Sequence, residues 1–197
     1  MLSYPSAVTV ESSVRSRTRR AILSATASVL ARDPDATLPV IAEAAGVGRT
    51  TLHRYFPDRE ALVAATVADS VAAIEQAVAE AAVEDGPVQA AMRRLVAALV
   101  AVGDRLIFLF ADPRVLAAHG TDLAAAAQGD PVLGLIERGQ AEGVLDAGVD
   151  ADWIRHTLWA LVYTGWEAVQ EGRLPRHGVT ATVVRTLEGG ILARPQG

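Results

Sequence analysis

One stretch near the start of the chain leaves little choice of local fold. Residues 37–62 read TLPVIAEAAGVGRTTLHRYFPDREAL. Val40, Ile41, Ala44 and Ala45 recur at helical spacing before Gly46, and Leu52 and Phe56 do so after it. Thr37 is suited to cap the first of these helices, with Pro39 tolerated in its first turn. Gly48 opens the second, Pro57 closes it, and Asp58 caps a longer helix beyond. Two short helices joined through a glycine form a helix-turn-helix unit. Ala42 and Ala45 have to be small where the helices cross. Gly46 supplies a positive φ without a Cβ clash, and Val47 and Leu52 fill the space beneath. The outward residues of the second helix are then Arg49, Thr50, Thr51, His53, Arg54 and Tyr55. Such polar and cationic side chains suit the major groove of duplex DNA.

The rest of the chain continues the helical pattern and nowhere alternates like a strand. Residues 1–14 read as a polar, mobile arm. A first helix is expected over residues 14–32, ended by Asp33-Pro34-Asp35, with Ile22, Thr26 and Val29 on one face and Leu23, Ala27 and Leu30 beside them. The helix capped by Asp58 extends to about residue 84. Further helices are expected over residues 87–110, 112–119, 131–142, 150–170 and 179–192, while residues 120–130 are Ala-rich and weakly patterned. The fold class is all-α: an N-terminal three-helix helix-turn-helix domain at 15–60, then a larger helical domain at 61–197.

Composition decides which chemistries remain open. The chain has a net charge of -5, yet residues 1–60 hold eight Arg against six acids, so the basic excess lies with the helix-turn-helix. All 18 basic residues are Arg. Without Lys there is neither a Walker-type phosphate loop nor a Schiff-base enzyme. Without Cys there is no disulfide, zinc-thiolate site or thiol nucleophile, which fits a cytoplasmic location. Arg19-Arg20 before an apolar segment resembles an export signal, but Ser24, Thr26 and Ser28 interrupt the apolar core that a signal needs. No run of 18 apolar residues is present, so no membrane span is expected.

Residues 15–67, and above all IAEAAGVGRTTLHRYFPDREAL within them, resemble the tetracycline-repressor (TetR) family, with glycine, apolar and aromatic positions in register. The resemblance implies a transcriptional regulator, most simply a repressor and not an enzyme. It would bind palindromic double-stranded operator DNA as a homodimer and leave it when a small, mostly apolar effector binds the C-terminal body. Carried across position by position, Arg49, Thr50 and Thr51 begin the recognition helix, where the family reads base edges. His53 stands at a usual Tyr position that contacts phosphate and base, and Tyr55 at a usual His, Tyr or Phe position. Arg54 is either a DNA contact or a solvated residue. Arg59 replaces a usual Lys that clamps a phosphate, and Thr37 lies where the second helix faces one. Gly48 replaces a common Ser cap, and Pro39 and Val40 replace polar residues. The Arg15, Arg17, Arg19 and Arg20 cluster reads as a solvated face, with a minor-groove or phosphate role as the alternative. An architectural DNA binder without an effector is the alternative function.

In the body, Trp159, Tyr163 and Trp166 share one helical face. Core or dimer packing is the first reading of that face and an effector cavity the second. The candidate ligand-binding set is Met92, Arg105, Phe108, Phe110, His119, Trp159, Tyr163 and Trp166. The last two helices resemble the family's dimerisation pair, with Leu158, Leu161, Val162 and Val169 facing Val183, Val184, Leu187 and Ile191, and with Leu187 expected in the interface between subunits. Gly46-Val47-Gly48 opens a helix as dinucleotide loops do, but a helix precedes it and the third glycine is missing. Asp152 and His156, one turn apart, read as a surface pair and not a metal site. No cofactor, metal or catalytic residue is expected.

Overall fold

The computed structural model describes residues 7–110 and 130–192, with side chains from residue 14 onward. The short helix expected over residues 112–119 and His119 lie outside the described residues. What is described is all-α: α1 (Ala7–Leu30), α2 (Leu38–Ala44), α3 (Arg49–Tyr55), α4 (Arg59–Glu80), α5 (Val88–Ala101), α6 (Gly103–Phe110), α7 (Pro131–Ala141), α8 (Ala151–Gln170) and α9 (Val179–Ile191). An isolated bridge between Leu145 and Leu192 is the extended pairing seen among these residues. The chain divides into two compact units, Met1–Ser70 and Val71–Gly197, so the division falls inside α4 and not at residue 60.

In the first unit, α1 buries Ile22, Leu23, Thr26, Ala27 and Leu30, close to the expected stripe. Its buried Thr26 hydroxyl donates to the Ile22 carbonyl at 2.8 Å, so the polar group in the core is satisfied. The helix begins at Ala7, which overturns the expected arm over residues 7–14. That segment is rich in serine but holds neither Gly nor Pro, and nothing in it stops a helix. Asp33-Pro34-Asp35 ends the helix region as expected, and Ala36 donates back to the Asp33 carbonyl to close the turn.

The second unit is organised around α8, which packs against α5, α6, α7 and α9. It turns Ile154, Leu158, Val162 and Trp166 inward, and α9 turns Val179, Val183, Leu187 and Ile191 inward. Each such side chain contributes about 1.5–3 kcal/mol when fully buried. At Gly165 an added Cβ would lie 2.9 Å from Val179 and 3.1 Å from Val183. The helix-weakening glycine is thus offset by a close approach of α8 and α9. Leu187 is 1% exposed within the single subunit. It belongs to the subunit core, and the expectation that it faces a second subunit is corrected.

Two further boundaries differ from the sequence pattern. Residues 87–110 form two helices, because Val102 leaves the helical conformation (φ -108, ψ 21). The Trp166 indole occupies the space where a Gly103 Cβ would stand, and its Nε1 donates to the Val100 carbonyl at 2.7 Å. The Arg176 guanidinium covers the same ring at 4.7 Å. A contact from 66 residues away therefore breaks an otherwise continuous apolar pattern. Helix α4 stops at Glu80, with Ala82 in the left-handed region (φ 46). Arg94 holds this exit by donating to the carbonyls of Ala81, Ala82 and Asp85 at 2.9, 2.7 and 2.6 Å. By length and composition α4 could cross a membrane, with a mean hydropathy of 1.4. A third of that apolar stretch is buried: Leu62 and Val67 enter the core of the first unit, and Ala77 and Val78 that of the second.

Candidate nucleic-acid interface

The interface is built on buried anchors. Leu52, 1% exposed, and Phe56, 5% exposed, fix one side of α3 to the core of the first unit. Because Leu52 lies mid-helix, the residues around it are pushed outward at helical spacing. Arg49, Thr50, His53 and Arg54 are exposed, and Thr51 and Tyr55 are half-buried. Upstream, Ile41 and Ala42 are buried while Ala45 and Val47 are half-buried. Gly46 has φ 66 and its amide donates to the Glu43 carbonyl, the turn that the glycine allows. The small residues at the crossing and the glycine turn thus set α3 against α2.

The outward face carries no ion pair for Arg49 among the described residues, so its charge is held ready for an external acceptor. The Arg54 guanidinium stands 5.7 Å from the Tyr55 ring, and Arg19 of α1 stands 5.6 Å from the Phe56 ring. His53 Nδ1 lies 3.3 Å from the Pro57 carbonyl. A carbonyl only accepts, so that contact requires a proton on Nδ1. Asp58 caps α4 as expected, accepting from the Ala61 amide at 2.8 Å.

Two residues depart from expectation. Thr37 occupies the N-cap of α2 with extended backbone, but its side chain makes no capping bond. Its carbonyl accepts the first bond of the helix, from the Ile41 amide. Arg59 was expected to reach outward to a phosphate. Its guanidinium instead donates to the carbonyls of Ala36 and Pro34, the latter at 2.6 Å. Nothing in the spacing of the sequence indicates this, because the partners lie 23 and 25 residues earlier in a loop. Val40, also on α2, is 47% exposed where its apolar character suggests burial.

The described residues of the candidate ligand set differ in exposure. Met92, Phe108 and Trp166 are buried, Arg105 is 8% exposed, Trp159 and Tyr163 are half-buried, and Phe110 is 42% exposed at the end of α6. A cleft of about 200 Å³ lies elsewhere in the same unit, lined by Val83, Glu84, Pro131, Gly134, Leu135 and Arg138. Asp152 and His156 form the expected surface pair, with His156 Nδ1 3.1 Å from a carboxylate oxygen.

The family model described as bacterial regulatory proteins, tetR family, matches residues 22–66, which include α2, α3 and the start of α4. Over 189 residues the chain is 38% identical to the HTH-type transcriptional repressor LfrR of Mycolicibacterium smegmatis, covering 95% of this chain and 97% of that protein. A crystal structure of the TetR-like transcriptional regulator LfrR from Mycobacterium smegmatis aligns with a TM-score of 0.70 at 33% identity, covering 92% of this chain and 99% of that one. The crystal structure of the same regulator in complex with proflavine aligns with a TM-score of 0.68 at 37% identity, covering 91% and 99%. Fold, reading face and these likenesses define a helix-turn-helix regulator of transcription, a protein that binds DNA. The chain belongs to the tetR family of bacterial regulatory proteins. Repressors of that family bind operator DNA as dimers and bind small ligands.

Proposed function

We propose that this regulator is a repressor whose two α3 helices enter successive major grooves of a palindromic operator, and that a small, largely apolar ligand in its body releases it. The observation that carries the reading is the outward face of α3, with Arg49, Thr50, His53 and Arg54 exposed on a helix pinned from behind by Leu52 and Phe56. Arg49 would donate to guanine, Thr50 and Thr51 would meet neighbouring base edges, and Arg54 and Tyr55 the adjoining backbone. The exposed His53 would meet a base edge or a phosphate beside them. The protein would act in the cytoplasm, without catalysis.

The complex of the 38% identical relative's structure with proflavine supports a flat aromatic compound as the ligand class. The aromatic content of α6 and α8 supports the second unit as its site, with Phe108, Trp159, Tyr163 and Trp166 nearest in chemistry. Ligand and DNA binding are reciprocal: if proflavine weakens operator binding, operator weakens proflavine binding by the same factor, typically about 5–150-fold. Proflavine binding to the free protein is read by tryptophan fluorescence, since Trp153, Trp159 and Trp166 all lie in the second unit. Operator release is read by mobility shift. An unrelated DNA-binding protein on its own site corrects for proflavine entering the duplex. Binding to the protein with unchanged operator affinity would leave a regulator that ignores this ligand class.

A further inference from the structure

Arg59 stands in the first turn of α4, where a helix dipole disfavours a cation. It is half-buried, and its guanidinium is turned back onto the loop between α1 and α2. Within that loop Ala36 donates to the Asp33 carbonyl, and Asp35 donates to the Asp33 carboxylate at 3.1 Å. These bonds use the Asp33 acceptors and leave the carbonyls of Pro34 and Ala36, which Arg59 takes with two different nitrogens. The residue after Ala36 is Thr37, the N-cap of α2, whose side chain contributes no capping bond. The direction in which the chain enters α2 is therefore fixed from outside, by Arg59. Buried Ile41 and Ala42 and the Gly46 turn then carry that direction to α3.

We infer that Arg59 is a positioning residue: it latches the loop before α2 to the start of α4 and thereby sets the reading pair α2–α3, without itself meeting a phosphate. The same use of arginine recurs in the second unit, where Arg138 donates to the carbonyls of Val83 and Glu84, both at 2.9 Å. This inference rests on the reading of α3 as the helix that enters DNA, and the test separates the two.

The full-length protein and its Arg59→Gln and Arg59→Lys variants are compared with Arg49→Ala on a duplex selected from a random pool by the parent protein. Operator affinity is measured across a salt series, and amide exchange is followed in the free protein. The latch predicts that Arg59→Gln loses about tenfold in operator affinity, the scale of a charged hydrogen bond. It also predicts an unchanged salt slope and faster exchange of amides in residues 36–41 without DNA. Arg59→Lys, with a single ammonium for two carbonyls, restores only part of both. A phosphate clamp predicts a slope smaller by about 0.9, full rescue by Lys and unchanged exchange in the free protein. That set of results overturns the inference, as would unchanged affinity and exchange in Arg59→Gln. If Arg49→Ala also binds like the parent, what fails is the reading of α3.

Discussion

In the first unit Arg49 and Arg54 point into solvent from α3, whereas in the second Arg94 and Arg138 turn inward onto the carbonyls at the exit of α4. The chain has no lysine, so one residue type serves both purposes. What separates them is the supply of acceptors. The last turn of a helix and the chain after it release carbonyls, and the residues from Ala81 to Asp85 offer five in a row. The start of α3 offers amides instead, and Arg49 there has no ion pair among the described residues. Glycine divides in the same way. Gly46 provides a backbone turn with open space around it, while Gly103 and Gly165 provide room for a neighbouring side chain. The first unit uses Arg49, Arg54 and Gly46 to present a surface and Arg59 to hold the loop before α2, while the second uses Arg94 and Arg138 to hold a helix exit and Gly103 and Gly165 to close a core.

This contrast is broken most severely by a charge in the second core. Leu187→Glu is expected to unfold the subunit, because a buried, unpaired carboxylate costs several kcal/mol. Circular dichroism should show lost helix in the mutant. A helical mutant that runs as a smaller species would return Leu187 to an interface between subunits.

Next in size is Gly103→Ala. Its Cβ would fall 1.4 Å from Trp166 Nε1, so the indole has to leave its bond to Val100. A loss of about 3 kcal/mol is expected, within the range for displaced large core side chains. Urea unfolding monitored by tryptophan emission measures it; a loss under about 0.5 kcal/mol, the scale of an ordinary surface change, contradicts the packing.

The smallest effect has the opposite sign. Ala82 holds φ 46 in the exit of α4, a conformation that costs an L-residue roughly 1 kcal/mol. Ala82→Gly is expected to raise stability by up to about that amount, less the backbone entropy glycine adds to the unfolded chain. A lowered unfolding midpoint would show that the left-handed turn is not populated.

The helix-turn-helix was legible because its signals are local. The Asp33-Pro34-Asp35 stop, the glycine at the turn and the Asp58 cap each act within a few residues. The starts of α7 and α8 were legible for the same reason, with Asp130 accepting from Val132 at 2.8 Å and Asp150 from Trp153 at 2.9 Å as side-chain caps. The break at Val102 was not, since it depends on Trp166 and no breaker other than Gly103 marks it. The inward turn of Arg59 was hidden likewise, because its partners are main-chain carbonyls that any residue would present. The burial of Leu187 within one subunit was misassigned for a simpler reason. An apolar stripe on a helix gives a face but not the identity of what covers it.

The central claim is that DNA reading belongs to the outward face of α3 and is separable from the stability of either unit. Fluorescence anisotropy of the selected duplex, with Arg49→Ala and His53→Ala beside the parent, tests it most directly when paired with urea unfolding. Each variant should bind about 1–3 kcal/mol more weakly, with relaxed preference at one base position per half-site. Their unfolding midpoints should stay within about 0.5 kcal/mol of the parent, as for exposed substitutions. Variants that select the same sequence with the parent's affinity, or that lose binding only as they lose folding, would contradict it.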